Sequence, residues 1–106
     1  MDLIFCQFEK WFQSKLYEWS QKGIIVEKSG LGEYGHQYWI EVKCENGLGN
    51  IVLYESNGMY WVDFEGGNYN YDAMYMESNI SFIDVAELDE YEKEFINHIT
   101  WNGKEV

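Results

Sequence analysis

The dipeptide Asn57-Gly58, set between two runs of alternating apolar residues, constrains the fold of this chain more than any other feature. A two-residue hairpin loop needs positive φ at both central positions, and asparagine and glycine tolerate this conformation best. A turn at this point places Leu53 opposite Val62 and Ile51 opposite Phe64. The segment therefore predicts an antiparallel hairpin with a defined register.

A second turn is predicted at residues 46–49, where two glycines follow an asparagine. As a four-residue loop, it places Cys44 opposite Ile51 and Val42 opposite Leu53. Because a one-residue slip would move every side chain to the other side of the sheet, agreement between the two turns defines one apolar face. Residues 38–65 thus predict a three-stranded meander whose core face carries Ile40, Val42, Cys44, Ile51, Leu53, Tyr60, Val62 and Phe64.

The opposite face of this meander combines large aromatic residues with carboxylates. Tyr54 falls opposite Trp61, which predicts a cross-strand aromatic pair. Aromatic anchors with a polar rim are typical of protein-binding surfaces. The candidate partner-binding residues are Trp39, Glu41, Tyr54, Trp61, Asp63 and Glu65, and Lys43 and Val52 share their face. The alternative is that a tail or a second subunit covers these aromatics.

A helix is predicted over residues 2–22, with Asp2 near its start and Gly23 just past its end. Its buried stripe consists of Phe5, Phe8, Phe12, Leu16 and Trp19, and Trp11 and Tyr17 lie off that stripe. A short strand follows at 24–27 and a glycine-containing loop at 29–35. Beyond the meander, residues 66–72 are interpreted as a turn-rich, tyrosine-rich recognition loop or a simple connection. Residues 74–82 predict a further strand with a break at 77–79.

The last element is a helix over about residues 84–100, started by Asp84 and Glu87 as a capping box. Its buried stripe consists of Leu88, Tyr91, Phe95 and Ile99, and Trp101 packs where it ends. Glu87, Asp89, Glu90, Glu92 and Glu94 make its other faces negative. Glu87, Glu90 and Glu94 form a second candidate surface, the alternative being a solvated face. The elements predict one α+β domain over residues 1–106, a four- to five-stranded antiparallel meander with the two helices on its apolar face.

The charge of the chain narrows the choice of partner. The net charge is −12, and residues 54–106 alone hold 12 acids against 2 lysines. Phosphate contacts need clustered Lys or Arg, so nucleic acid and anionic membranes are not expected ligands. A basic protein is the complementary partner because such a field accelerates association. The alternative is acidity that serves only solubility.

Sequence features also indicate location and chemistry. Residues 1–12 lack the pattern of a secretory leader, and no apolar run has the roughly 20 residues that span a bilayer, so a cytoplasmic protein is expected. Cys6 and Cys44 have no motif spacing, and neither histidine has a partner in sequence. No metal, cofactor or enzymatic activity is therefore expected. Asp63 and Glu65, two apart on one strand, leave a hydrolase as a minor alternative.

The order of elements resembles a known family. An aromatic helix is followed by W-I-E-V (39–42), then by G-x-I-V-L-Y-E-S-N-G-x-Y-W-V-D-F-E (49–65), and finally by an acidic helix. This pattern is similar to the small immunity proteins of bacterial polymorphic-toxin and contact-dependent growth-inhibition systems, in particular the group named TriTu. The resemblance implies a cytoplasmic inhibitor that binds one cognate toxin domain, often a basic nuclease. It transfers no functional residue to a position of this chain.

Two further functions remain alternatives to an inhibitor. A homodimeric adaptor or structural domain could use the aromatic sheet face between two copies. A small-ligand carrier could form if the sheet curled over an apolar pocket rich in Tyr and Trp.

Overall fold

The computed structural model describes residues 2–104 and has an α+β fold, as predicted. Five strands form one open antiparallel sheet in the order β1-β2-β3-β4-β5. The elements are α1 (Leu3–Gln21), β1 (Ile25–Leu31), β2 (Gln37–Lys43), β3 (Gly47–Ser56), β4 (Met59–Asn68), β5 (Tyr71–Ile80), a 3₁₀ turn (Val85–Leu88) and α2 (Asp89–Thr100). Both helices pack on the same side of the sheet, called here the inner face.

The hairpin between β3 and β4 has the predicted register. Ile51 pairs with Phe64 and Leu53 pairs with Val62. Asn57 and Gly58 adopt φ values of 53° and 77°, the conformation that a two-residue loop of this kind requires. The inner face carries the predicted core side chains: Ile40, Val42, Ile51, Leu53, Val62 and Phe64 are buried, and Cys44 and Tyr60 are half-buried.

The predicted turn at 46–49 is wrong. Val42 pairs with Gly49 and Ile40 with Ile51, so the chain reverses before Gly47, and β3 begins three residues earlier than a loop at 46–49 allows. The reason lies in α2: a Cβ at Gly49 would lie 2.6 Å from Cε1 of Phe95. The two glycines of this segment lack a Cβ, which allows α2 to pack closely against β3, and they do not form the turn. Because the register differs by an even number of residues, the predicted faces are kept.

The ends of the sheet also differ from the prediction. Residues 29–31 continue β1 instead of opening a loop. Within the predicted loop at 66–72, only residues 69–70 form a turn, because β4 continues to Asn68 and β5 begins at Tyr71. Gly66 lies in β4 against α2, where a Cβ would be 2.8 Å from Cγ2 of Ile99. The predicted break at 77–79 is confirmed as a bulge: the register between β4 and β5 shifts there, and Asn79 has a φ of 59°.

Helix α1 buries a wider stripe than predicted. Phe5, Phe8, Phe12 and Trp19 are buried, but Leu16 is 37% exposed and Trp11 only 6%. Trp11 faces the C-terminal helix, where its indole Nε1 donates a hydrogen bond of 2.8 Å to Asp89. The helix therefore packs against both the sheet and the C-terminal segment.

The C-terminal segment begins with the predicted cap, but its first turn is 3₁₀ and α2 begins at Asp89. Tyr91, predicted in the buried stripe, is half-buried. The Asp84 and Glu87 capping box is present, and Leu88, Phe95 and Ile99 are buried. Glu92, predicted on an exposed negative face, is only 7% exposed. The cost of burying this carboxylate is offset by the hydrogen bond of 2.9 Å that it accepts from the Trp19 indole. Neither helix within residues 2–104 has the combination of length and apolarity needed to cross a membrane.

Candidate protein-binding site

The outer face of the sheet, opposite the helices, brings together all six residues of the first candidate surface. They lie in three cross-strand rows over β2, β3 and β4. The rows are Gln37–Tyr54–Trp61, Trp39–Val52–Asp63 and Glu41–Asn50–Glu65. The periodicity of two residues in each strand explains this arrangement, because every second side chain points to the same side.

Tyr54 and Trp61 form the aromatic centre of the outer face. Their rings are stacked, with centroids 5.6 Å apart and planes at 13°. Both side chains are only half-buried. Because ring stacking holds each side chain in one orientation, a partner would meet this pair with little loss of rotamer freedom.

Trp39 lies beside this pair, one row along the sheet. It pairs with Val52, which makes it a diagonal neighbour of Tyr54. The ammonium of Lys28, from β1, lies 5.8 Å from the centroid of the Trp39 ring. Lys43 on β2 forms an ion pair of 3.3 Å with Glu27 of β1. The lysines of the outer face thus lie toward β1, and Asp63 and Glu65 lie on β4.

The carboxylates on β4 influence the aromatic pair electrostatically. Burial raises the pKa of the Tyr54 phenol, and the negative charges of Asp63 and Glu65 raise it further. Asp63 is also held in place, because its Oδ1 accepts a hydrogen bond of 2.7 Å from the backbone N–H of Asn79 in the β5 bulge. The potential at the stacked rings is therefore negative, which favours a cationic partner.

Sequence reasoning missed three apolar residues that extend the outer face. Leu48 and Met76 are 48% and 58% exposed, and they pair with Gly67 and Glu65 respectively. Met74 lies over Gly67, with its sulfur 3.1 Å from the position of a Cβ there. The alternation of residues along β3 would have revealed Leu48 if the flanking glycines had not been assigned to a turn.

The second candidate surface is not brought together in the same way. Oε2 of Glu87 accepts hydrogen bonds of 2.9 and 2.7 Å from the backbone N–H groups of Ile83 and Asp84, so this carboxylate is part of the helix cap. Glu90 is exposed on α2. Oε2 of Glu94, one turn later, lies 3.4 Å from the Tyr75 hydroxyl, and Glu94 lines a groove between β5 and α2.

The other side chains that could take part in catalysis or metal binding are dispersed over the structure. His36 contacts Glu55, with 2.7 Å between Nδ1 and Oε1, so this histidine has a carboxylate partner that the sequence did not indicate. Within residues 2–104, no group of three or more His, Cys, Asp or Glu side chains is arranged to hold a metal ion. Comparisons with protein-family models, curated proteins and solved structures find no match to this chain.

Proposed function

We propose that this protein is a cytoplasmic immunity protein that binds a cognate toxin domain and neutralises it by stoichiometric contact through the outer face. One observation carries the proposal. The stacked Tyr54 and Trp61 side chains stand on the sheet face that neither helix covers, with Asp63 and Glu65 beside them. Well-packed aromatic anchors surrounded by polar groups account for most of the binding energy in many protein interfaces.

A protein is a better ligand for this face than a small molecule. Small-molecule sites are concave and enclose most of the ligand surface. The candidate residues instead extend across β2, β3 and β4 of an open sheet, with exposed Leu48 and Met76 at the margin. An extended surface with aromatic residues at its centre and charges around them suits a partner of comparable size.

A basic partner is favoured over a second copy of the chain. Two copies that met through this face would bring together two net charges of −12. A basic toxin domain would instead be attracted over roughly a Debye length and would associate faster. Lysine or arginine side chains of the partner would pair with Glu41, Asp63 and Glu65, and the aromatics would supply the apolar contact.

Co-purification tests this proposal. The tagged protein would be expressed with the product of the gene immediately upstream of its own, and the complex would be passed over a sizing column and identified by mass. We expect a stoichiometric complex with a basic domain that stops growth when expressed alone and permits growth when co-expressed.

The alternative functions predict different outcomes. A lone monomer that does not rescue growth contradicts the proposal. A dimer of this chain without a second protein favours the adaptor function, and a small molecule in the purified protein favours the carrier function. The hydrolase needs a separate variant: if Asp63→Asn leaves every phenotype unchanged, that alternative loses support.

A further inference from the structure

A groove of about 450 Å³ lies on the inner side of the sheet, between β5 and the C-terminal half of α2. It is distinct from the outer face, and of its lining residues only Glu94 belongs to a candidate surface named from the sequence. Its lining consists of Tyr71, Tyr75, Glu94, Asn97, His98 and Trp101. Four of these six residues carry aromatic rings, and Glu94 is the one acidic residue in the lining.

The aromatic rings that line the groove lie at different angles to one another. Tyr71 and Trp101 are nearly perpendicular, with centroids 6.0 Å apart and planes at 82°. The His98 ring contacts both tyrosines, at 5.8 Å from Tyr71 and 6.1 Å from Tyr75. Aromatic faces carry the negative part of the ring quadrupole, so a cation within about 6 Å of such faces is attracted to them.

The carboxylate of Glu94 gives the groove its charge preference. Its Oε2 lies 3.4 Å from the Tyr75 hydroxyl, at the same end of the groove as the tyrosine ring. The pKa of the Tyr75 phenol is raised by burial and then by the charges of Glu94 and Glu77, so the phenol stays neutral at physiological pH. A carboxylate beside several aromatic rings is complementary to an organic cation.

An unused hydrogen-bonding atom lies in the same wall. Among the described residues 2–104, Nε2 of His98 is the buried side-chain nitrogen that lacks a hydrogen-bond partner. Buried polar atoms of this kind are rare and costly. In a neutral imidazole with its proton on Nδ1, this nitrogen is an acceptor, and the adjacent Tyr71 is 54% exposed.

We propose that this groove binds the guanidinium group of an arginine side chain presented by a partner protein. A guanidinium is planar, stacks on aromatic faces and donates two parallel hydrogen bonds to a carboxylate. In this complex Glu94 accepts that pair of hydrogen bonds, the guanidinium stacks on the face of Tyr71 with the Trp101 ring at its edge, and His98 Nε2 accepts a further N–H. The inference goes beyond the function proposed for the outer face and needs no toxin to be tested.

A small probe tests the groove directly. The ¹⁵N-labelled protein would be titrated with n-butylguanidinium and, separately, with the neutral isostere n-butylurea. We expect saturable shifts of the Trp101 indole N–H and of the backbone amides of Asn97 and His98. We expect several-fold weaker binding of butylurea, and several-fold weaker binding of butylguanidinium in Glu94→Gln and in Tyr71→Ala.

Matched variants keep the test decisive. Glu90→Gln removes an exposed carboxylate one turn away on the same helix and should leave the affinity unchanged. Equal binding of butylurea, or an unchanged affinity in Glu94→Gln, would show that the groove is merely apolar and would overturn the proposal. Shifts confined to the Trp61 indole would overturn it as well, because the cation would then occupy the outer face. Failure here leaves the outer-face proposal intact.

Discussion

The indole Nε1 of Trp19 donates a hydrogen bond of 2.9 Å to Oε2 of Glu92, 73 residues away along the chain. Both residues are buried, at 1% and 7% exposure. One helical turn earlier on α2, Asp89 accepts from the Trp11 indole and from the Lys15 ammonium, each at 2.8 Å. Two tryptophans of α1 are thereby joined to two carboxylates of α2. This network fixes how the helices lie side by side on the sheet and leaves its other face free.

Removing the Glu92 carboxylate should destabilise the fold. Glu92→Ala leaves the buried Trp19 N–H without an acceptor, which costs about 1–3 kcal/mol. Glu92→Gln retains an acceptor oxygen and should cost less. Urea unfolding followed by tryptophan fluorescence measures both. Glu90→Gln, at an exposed position two residues away, serves as the control and should stay within about 0.5 kcal/mol of the parent.

A methyl group at Gly49 should disturb the contact between β3 and α2. Its Cβ would lie 2.6 Å from both the Glu65 carbonyl oxygen and the Phe95 ring, and such overpacking costs about 1–3 kcal/mol. Gly32→Ala is the matched control, because the nearest atom there is 3.4 Å away. Equal midpoints of thermal unfolding for the two variants would show that Gly49 is not required for the close approach of the helix.

The Asp89 ion pair predicts a specific dependence of stability on pH. The Lys15 hydrogen bond, followed by that of Trp11, holds the pKa of Asp89 below its usual value of 3.8 in the folded protein. A lowered folded-state pKa adds stability above the unfolded value, and this stability is lost as pH falls through the folded value. The stability difference between the parent and Asp89→Asn should therefore be largest at neutral pH and shrink below about pH 4. A constant difference from neutral to acidic pH would contradict this account.

Trp61 should dominate partner binding if the outer face is the interface. Trp61→Ala removes the stacked partner of Tyr54, and a hot spot of this kind is worth about 2 kcal/mol or more, roughly a 30-fold loss of affinity. Isothermal calorimetry with the co-purified partner measures the loss. Tyr17→Ala is the control, because Tyr17 is 77% exposed on α1 and lies away from the outer face. Equal affinities for the two variants would remove the outer face from consideration.

The pKa of Tyr54 reports the electrostatic potential at the centre of the outer face. The pKa of Tyr54 is raised by burial first and by Asp63 and Glu65 second. Asp63→Asn combined with Glu65→Gln should therefore lower this pKa part of the way toward 10.0. NMR titration of ¹³C-labelled tyrosine rings measures the change. The same double substitution should leave the pKa of Tyr60 unchanged, because that pKa is raised chiefly by the hydrogen bond to Asp2.

The first candidate surface was predictable residue by residue, whereas the groove was not. Trp39, Tyr54 and Trp61 share a face because strand periodicity and the Asn57-Gly58 turn act over a few residues. The groove depends on the approach of Tyr71 and Tyr75 to the end of α2, and residues 66–72 carry glycines and asparagines that are typical of a loop. A glycine required for a close approach and one required for a turn are indistinguishable in sequence.

The amino-acid sequence by itself determined the two helices, the register of the hairpin between β3 and β4 and the two faces of the sheet, because these follow from local periodicity and turn geometry. The tertiary structure alone decided three things: that Gly49 and Gly66 admit α2, that Glu92 is buried against Trp19, and that an aromatic groove forms beside Glu94. Each depends on where α2 lies on the sheet. That position follows from the packing of side chains far apart in the chain, which no local pattern encodes.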